Sequence, residues 1–146
     1  MSYYKYAYSL KTERIKEKDF PYPNKELIST ETTLEFIKSL NDSDIEKMIT
    51  IFLNSKNKLC GLYIMEGTVN QANVFPREIF KHAMLNGASA MILAHNHPSG
   101  DTKPSNFDIQ VTKVIQEIAK LLDILVHDHI ITSEEGFFSF REHGIL

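Results

Sequence analysis

Ala90-Met91-Ile92-Leu93-Ala94, followed by His95-Asn96-His97-Pro98-Ser99-Gly100-Asp101 and then Thr102-Lys103-Pro104-Ser105-Asn106-Phe107-Asp108, organises the reading of this chain. Five consecutive apolar residues between glycine and proline read as a buried central strand. Pro98 cannot donate to a ladder, so it ends that strand. Ser99-Gly100-Asp101 turns the chain back. Ser105 reads as a helix N-cap, with Asp108 three residues on. Behind them Phe107, Val111, Val114, Ile115, Ile118, Leu121 and Leu122 form one helical stripe. Strand, turn and helix in that order mark an α/β unit.

The flanking sequence extends this pattern. Upstream, Ser29-Thr30-Glu31-Thr32 opens a helix with Leu34, Ile37 and Leu40 on one face, stopped by Asn41-Asp42-Ser43. Met48 to Leu53 and Leu59 to Ile64 are apolar runs separated by the turn-like Asn54-Ser55-Lys56-Asn57-Lys58, a hairpin signal. Pro76 sits at a first helical position, followed by Ile79, Phe80, Ala83 and Met84, with Asn86-Gly87 as a stop. Downstream, Ile124 to Ile131 reads as a strand. Phe137 to Phe140 reads as a short one after the turn at Ser133-Glu134-Glu135-Gly136. The expected fold is a mixed sheet with helices packed on it, over residues 30–146. Residues 1–29 read as an irregular arm, with an edge strand where Tyr4, Tyr6 and Tyr8 alternate, a charged stretch, then Pro21 and Pro23.

Composition narrows the class. A length of 146 residues suits one core. The net charge of -3 gives no support for a dedicated nucleic-acid binder. One cysteine, Cys60, rules out an internal disulfide and a Cys-rich structural zinc site, and points to a reducing compartment. The first residues show no apolar core with a cleavage site, and no run approaches the length needed to span a bilayer. A cytoplasmic protein with no membrane role is therefore expected.

The chemistry lies in the quoted stretch. Side chains alternate along a strand, so His95 and His97 share a face. Asp108 falls in the first turn of the new helix, where exposed amides favour a carboxylate. Two imidazole nitrogens and one carboxylate oxygen suit Zn²⁺ and leave a fourth position for water. Zinc lowers the pKa of water towards neutrality, which implies attack on an amide or ester-like carbonyl. A further carboxylate is needed to move the proton. Taken singly, each element has a plainer explanation. A lone His-x-His is common, Ser105 to Asp108 is a capping pair, and Pro98-Ser99-Gly100-Asp101 is a turn. Their conjunction directly after a buried strand favours the metal site.

His95-x-His97, seven residues, Ser105, two residues and Asp108 resembles the JAMM signature of JAB/MPN-domain metalloproteases. The longer string from His95 to Asp101 and Pro104-Ser105 is similar to the RadC-like branch. So are Gly67-Thr68, Pro76-Arg77-Glu78, Leu122-Asp123-Ile124, Asp128-His129 and Ser139-Phe140-Arg141-Glu142. The resemblance covers about Thr30 to Leu146. It implies a mixed, curved α/β sheet flanked by helices, related to the cytidine-deaminase-like architecture. It also implies one catalytic zinc held by His95, His97 and Asp108, and hydrolysis of peptide or isopeptide bonds. Ser105 would stabilise the tetrahedral intermediate. The family's general base, a glutamate at the start of an early strand, matches Glu46, although spacing alone does not choose it over Glu66 or Glu78. Longer RadC-like proteins resemble a helix-hairpin-helix segment joined to this domain. The family name suggests DNA repair, which the charge of this chain does not support.

Other readings rank lower. His95-Asn96-His97 spells the name of the HNH nucleases, whose three residues are dispersed over a ββα motif. Zinc deaminases need two cysteines. His127 and His129 form a second His-x-His with no third ligand at a useful distance, so packing or support of the first site is expected. His82 and His143 carry no signal. Lys56, Lys58, Arg77 and Lys81 read as a solvated face. Two alternatives to an enzyme remain: a non-catalytic zinc-containing interaction module, and a DNA-repair-associated accessory protein. Substrate identity and oligomeric state are not legible.

Overall fold

A computed structural model of the chain describes residues 26–27, 29–40, 45–67 and 74–146. The expected strand at Tyr4, Tyr6 and Tyr8, the helix stop at Asn41-Asp42-Ser43, the side chain of Leu40 and Thr68 lie outside the described residues. Within them the elements run α1 (Thr30–Leu40), β1 (Lys47–Leu53), β2 (Leu59–Glu66), α2 (Pro76–Leu85), β3 (Ala90–Asn96), α3 (Asn106–Leu121), β4 (Leu125–Ser133) and β5 (Gly136–Ser139). The strands form one sheet in the order β2-β1-β3-β4-β5. Only β3 and β4 run parallel, joined by α3; the other neighbours are antiparallel.

Strand alternation divides the core into two faces. Met48, Phe52, Met91 and Leu93 point to one side, where they meet Ile79, Phe80 and Ala83 of α2 and Val111, Ile115 and Ala119 of α3. Ile49, Ile51, Leu53, Ala90, Ile92 and Ala94 point to the other, against Phe36 and Ile37 of α1 and Leu27. Helices thus cover both sides of β1 and β3, which explains why these strands read as continuous apolar runs rather than alternating ones. Each fully buried Phe, Ile or Leu contributes about 1.5–3 kcal/mol relative to exposure. The two central strands therefore anchor the fold.

β3 keeps the histidine segment on the strand as Pro98 predicts, whereas the stripe on α3 and the regularity of β4 differ from the sequence expectation. β3 runs on through His95 and Asn96, and the His97 N–H still donates to Thr132 O at 2.8 Å. The helical stripe on α3 is only partly a core stripe. Val114, Leu121 and Leu122 are exposed, whereas Asp108 and Thr112 are buried among Val111, Ile115 and Ala119. At 100° per residue, positions 108, 111, 112, 115 and 119 face the sheet, Val114 sits at its flank, and Leu121 and Leu122 fall at the helix end. Finally, β4 carries a bulge. Met91 pairs with Val126 but Ile92 pairs with Asp128, so His127 is skipped.

Candidate metal centre

The candidate site forms where three chain segments end together. The antiparallel register sets Met48 opposite His95, so the residues just before β1 lie beside the residues just after β3. The loop from Pro98 to Pro104 then returns the chain to the N-terminus of α3. There Ser105 Oγ accepts the Asp108 N–H at 3.0 Å and Asp108 Oδ2 accepts the Ser105 N–H at 2.7 Å, a reciprocal capping box.

Four side chains converge. His95 Nε2 lies 2.9 Å from His97 Nε2. Asp108 Oδ1 is 3.4 Å from His95 Nε2, and its Oδ2 is 3.6 Å from His97 Nε2. Glu46 offers a carboxylate oxygen in the same cluster, where it and one nitrogen each of His95 and His97 all lie within 4.8 Å of one another. His95 and Asp108 are buried, and Glu46 and His97 are partly exposed, so the cluster opens to solvent on one side.

The backbone around these groups is held by specific bonds. Asn96, between the two histidines, points to the opposite face and spans the entry to β1. Its Oδ1 accepts the Lys47 N–H at 2.6 Å and its Nδ2 donates to Ile45 O at 3.0 Å. The peptide groups on either side of Glu46 are thereby fixed. The Glu46 carbonyl itself accepts the Gly67 N–H at 2.9 Å. Gly67 has φ 111°, a conformation that residues with a Cβ rarely adopt. On the far side, His97 Nδ1 donates to Asp101 O at 2.6 Å.

Electrostatics follow from this crowding. The Asp108 carboxylate raises the His97 pKa against the opposing effect of burial, with the Asp101 carbonyl adding to the rise. Burial acts to raise the Asp108 pKa, but hydrogen bonding to His95 and His97 outweighs it and holds the carboxyl well below its ordinary range.

The donor set fits a divalent cation. His97 Nδ1 faces a carbonyl, which only accepts, so that nitrogen carries the proton and Nε2 of the neutral ring carries a lone pair. At 2.9 Å from His95 Nε2, that lone pair needs a proton or a cation between the rings. Two carboxylates beside two imidazoles also gather acceptor atoms in a partly buried place, where unpaired charge is costly and a dication would offset it. Imidazole nitrogens with carboxylate oxygens are the donors Zn²⁺ takes.

The other candidates fall elsewhere. Glu66 pairs with Lys47 at 3.3 Å. Glu78 pairs with Lys81 at 2.8 Å and Arg77 at 3.5 Å, and neither glutamate reaches the cluster among the described residues. The bulge in β4 splits the second histidine pair. His127 lines a small cavity on the α1 face with Leu27, Thr30 and Asp128, and its ring meets Asn57 Oδ1 at 2.8 Å. His129 points to the α3 face, where its Nε2 lies 2.8 Å from His95 Nδ1. His82 stacks on Tyr63 and His143 on Phe138, both away from the cluster. Sequence reasoning missed Asn96, Thr112 and the Asp101 carbonyl. Spacing gives no signal for a carbonyl contact. Asn96, though, shares a short segment with both histidines, and a buried amide there has to find backbone partners.

A mixed sheet between helices, with His-x-His leaving a central strand and Ser-x-x-Asp opening the next helix, defines an α/β domain with a candidate metal centre. The RadC-like JAB domain family profile matches residues 27–145, and the chain belongs to that family. Its relatives agree. It is 38% identical over 125 residues to a UPF0758 protein of Chlorobaculum parvum, covering 84% of this chain and 56% of that one. It is 43% identical over 108 residues to a UPF0758 protein of Finegoldia magna, covering 73% and 48%. A UPF0758 protein of Histophilus somni is 41% identical over 121 residues, covering 82% and 54%. The chain spans about half the length of these curated relatives. Among the described residues, no helix is long and apolar enough to cross a membrane.

Proposed function

We propose that this chain is a zinc-dependent hydrolase of peptide or isopeptide bonds, acting in the reducing cytoplasm. His95, His97 and Asp108 are the ligands, Glu46 is the general base and Ser105 assists the developing oxyanion. The observation that carries this reading is the meeting of His95 Nε2, His97 Nε2 and both Asp108 oxygens at one place, with Glu46 beside them. A zinc ion there supplies a Lewis acid that polarises a carbonyl and makes water acidic near neutral pH.

The protein groups divide the remaining work. Asp108 is the more buried carboxylate and is fixed by the capping box, which suits a ligand. Glu46 is partly exposed at a strand end, which suits a group that must take a proton from the attacking water. It then returns the proton to the amine nitrogen as the carbon–nitrogen bond breaks. Ser105 Oγ already accepts the Asp108 N–H, so its own proton is left to donate to the carbonyl oxygen as that oxygen gains charge.

The test uses two internally quenched substrates, one with a peptide bond and one with a lysine ε-amide, and zinc-loaded protein. Zinc-dependent cleavage of either, falling about 10²–10⁴-fold in Glu46→Gln while zinc stays bound, is the expected result. Zinc bound with no cleavage of any such bond would leave an interaction module. Loss of zinc from folded Glu46→Gln would move Glu46 from base to ligand.

A further inference from the structure

The polar chain behind His95 has a direction that its function as a ligand does not explain. Thr112 Oγ1 donates to Asp108 O at 2.5 Å, one turn back in α3. A hydroxyl has a single proton, so towards His129 Nδ1, 2.6 Å away, the same oxygen accepts. His129 Nδ1 therefore carries hydrogen. His129 is wholly buried, and its two ring nitrogens meet Thr112 Oγ1 and His95 Nδ1 rather than a carboxylate, so the ring is neutral and its Nε2 is a bare lone pair. That lone pair lies 2.8 Å from His95 Nδ1, which must then be the protonated nitrogen of His95. The only lone pair left on neutral His95 is at Nε2, facing His97 and Asp108.

We propose that Thr112 and His129 form a positioning relay that fixes the His95 tautomer, so that Nε2 is presented bare to the metal. The inference rests on the zinc reading above. Each member depends on the one before it. Asp108 O sets the Thr112 hydroxyl, the hydroxyl sets His129, and His129 sets His95. Because Asp108 is itself a proposed ligand, the relay ties two ligands of the site to one another through α3 and β4. An imidazole has a particular advantage as the acceptor. A carboxylate in its place would also orient His95, but would add a third negative charge to a cluster that holds two. Neutral His129 orients without adding charge. Its ring is held in plane by stacking on Phe140, at 4.7 Å between centroids and 16° between planes.

The test compares the wild-type chain with Thr112→Val and Thr112→Ser. Thr112→Val keeps shape but removes the acceptor for His129 Nδ1–H. His129 is then free to adopt the other tautomer, which would move the His95 proton to Nε2. Two-bond ¹H–¹⁵N spectra of the imidazoles, taken without zinc at alkaline pH, read this directly. Wild type and Thr112→Ser are expected to show His95 protonated at Nδ1, and Thr112→Val to show mixing or reversal. Zinc affinity, from competition with a chromogenic chelator, is expected to fall about 10–100-fold in Thr112→Val and to be restored in Thr112→Ser. If Thr112→Val does not fold, Thr112→Ala makes the same comparison without the added methyl. His95 protonated at Nε2 in the wild type overturns the relay, as does Thr112→Val with wild-type spectra and affinity. A wild-type chain that binds no zinc sinks the metal reading instead, and the spectra still decide the tautomer.

Discussion

Asp108 accepts the backbone N–H of Ser105 through Oδ2, and the same carboxylate faces both His95 and His97. The start of α3 and the candidate metal centre therefore use one side chain. A capping box is usually a local device that satisfies two of the amides a helix leaves without partners. Here it also fixes a carboxylate of a buried residue at the mouth of β3.

The two roles of Asp108 separate by substitution. Asp108→Asn keeps an oxygen for the Ser105 N–H but loses the charge. Asp108→Ala loses both. Zinc affinity should fall steeply in each. Zinc-free stability should fall by about 1 kcal/mol more in Asp108→Ala, the usual worth of a cap. Chelator competition and urea melts check this; equal stabilities of the two variants would mean that the cap is idle.

Asn96 should govern Glu46 rather than the metal. Asn96→Ala leaves the Lys47 N–H without its side-chain acceptor and frees the approach to β1. Stability should drop by about 1–3 kcal/mol from the lost buried bond. Zinc affinity should stay within a few-fold, while kcat of the proposed hydrolysis falls at least tenfold. A variant with normal kcat would show that Glu46 needs no such bracket.

His127 gives stability a pH dependence. Burial first, and then the Arg141 charge, lower its pKa below the ordinary histidine value. A lowered folded pKa means that the unfolded chain takes up a proton first as pH falls. The contribution is therefore whole above pH 6.5 and is lost as pH drops from there through the folded value. His127→Gln removes this titration, so the loss of urea midpoint between neutral and mildly acid pH should be smaller in the variant. Parallel curves for the two proteins would contradict it.

Gly61 is a contact glycine. A Cβ there would meet Asn86 Oδ1 at 2.3 Å, and Asn86 is held by its own bond to His82 O at 2.8 Å. Gly61→Ala must push that side chain off the end of α2. A thermal melt should show destabilisation of about 1 kcal/mol, since overpacking costs roughly 1–3 kcal/mol and Asn86 can partly yield. An unchanged melting temperature would show that Asn86 moves freely.

Much of the fold is written in local pattern, because both central strands are covered on two faces, α2 starts at Pro76 and stops at Gly87, and α3 opens on a capping box. The limits are equally physical. On α3 an apolar side chain at Val114 or Leu121 is indistinguishable in sequence from one at Ile115, but only the latter turns to the sheet. The site candidates His95, His97 and Asp108 were legible because strand alternation and a capping box act over a few residues. Glu46, Glu66 and Glu78 were not separable, since only strand pairing decides which one arrives beside β3. The link from His129 to His95 depended on a bulge at His127, which reverses the face that simple alternation assigns.

Zinc binding by the purified, metal-stripped chain tests the central claim most directly. Elemental analysis after reconstitution and dialysis should find close to one zinc per chain in the wild type. A folded His97→Ala variant, short of one of the two imidazoles, should retain little. Wild-type protein that holds no zinc, or His97→Ala protein that holds as much as the wild type, would contradict the account.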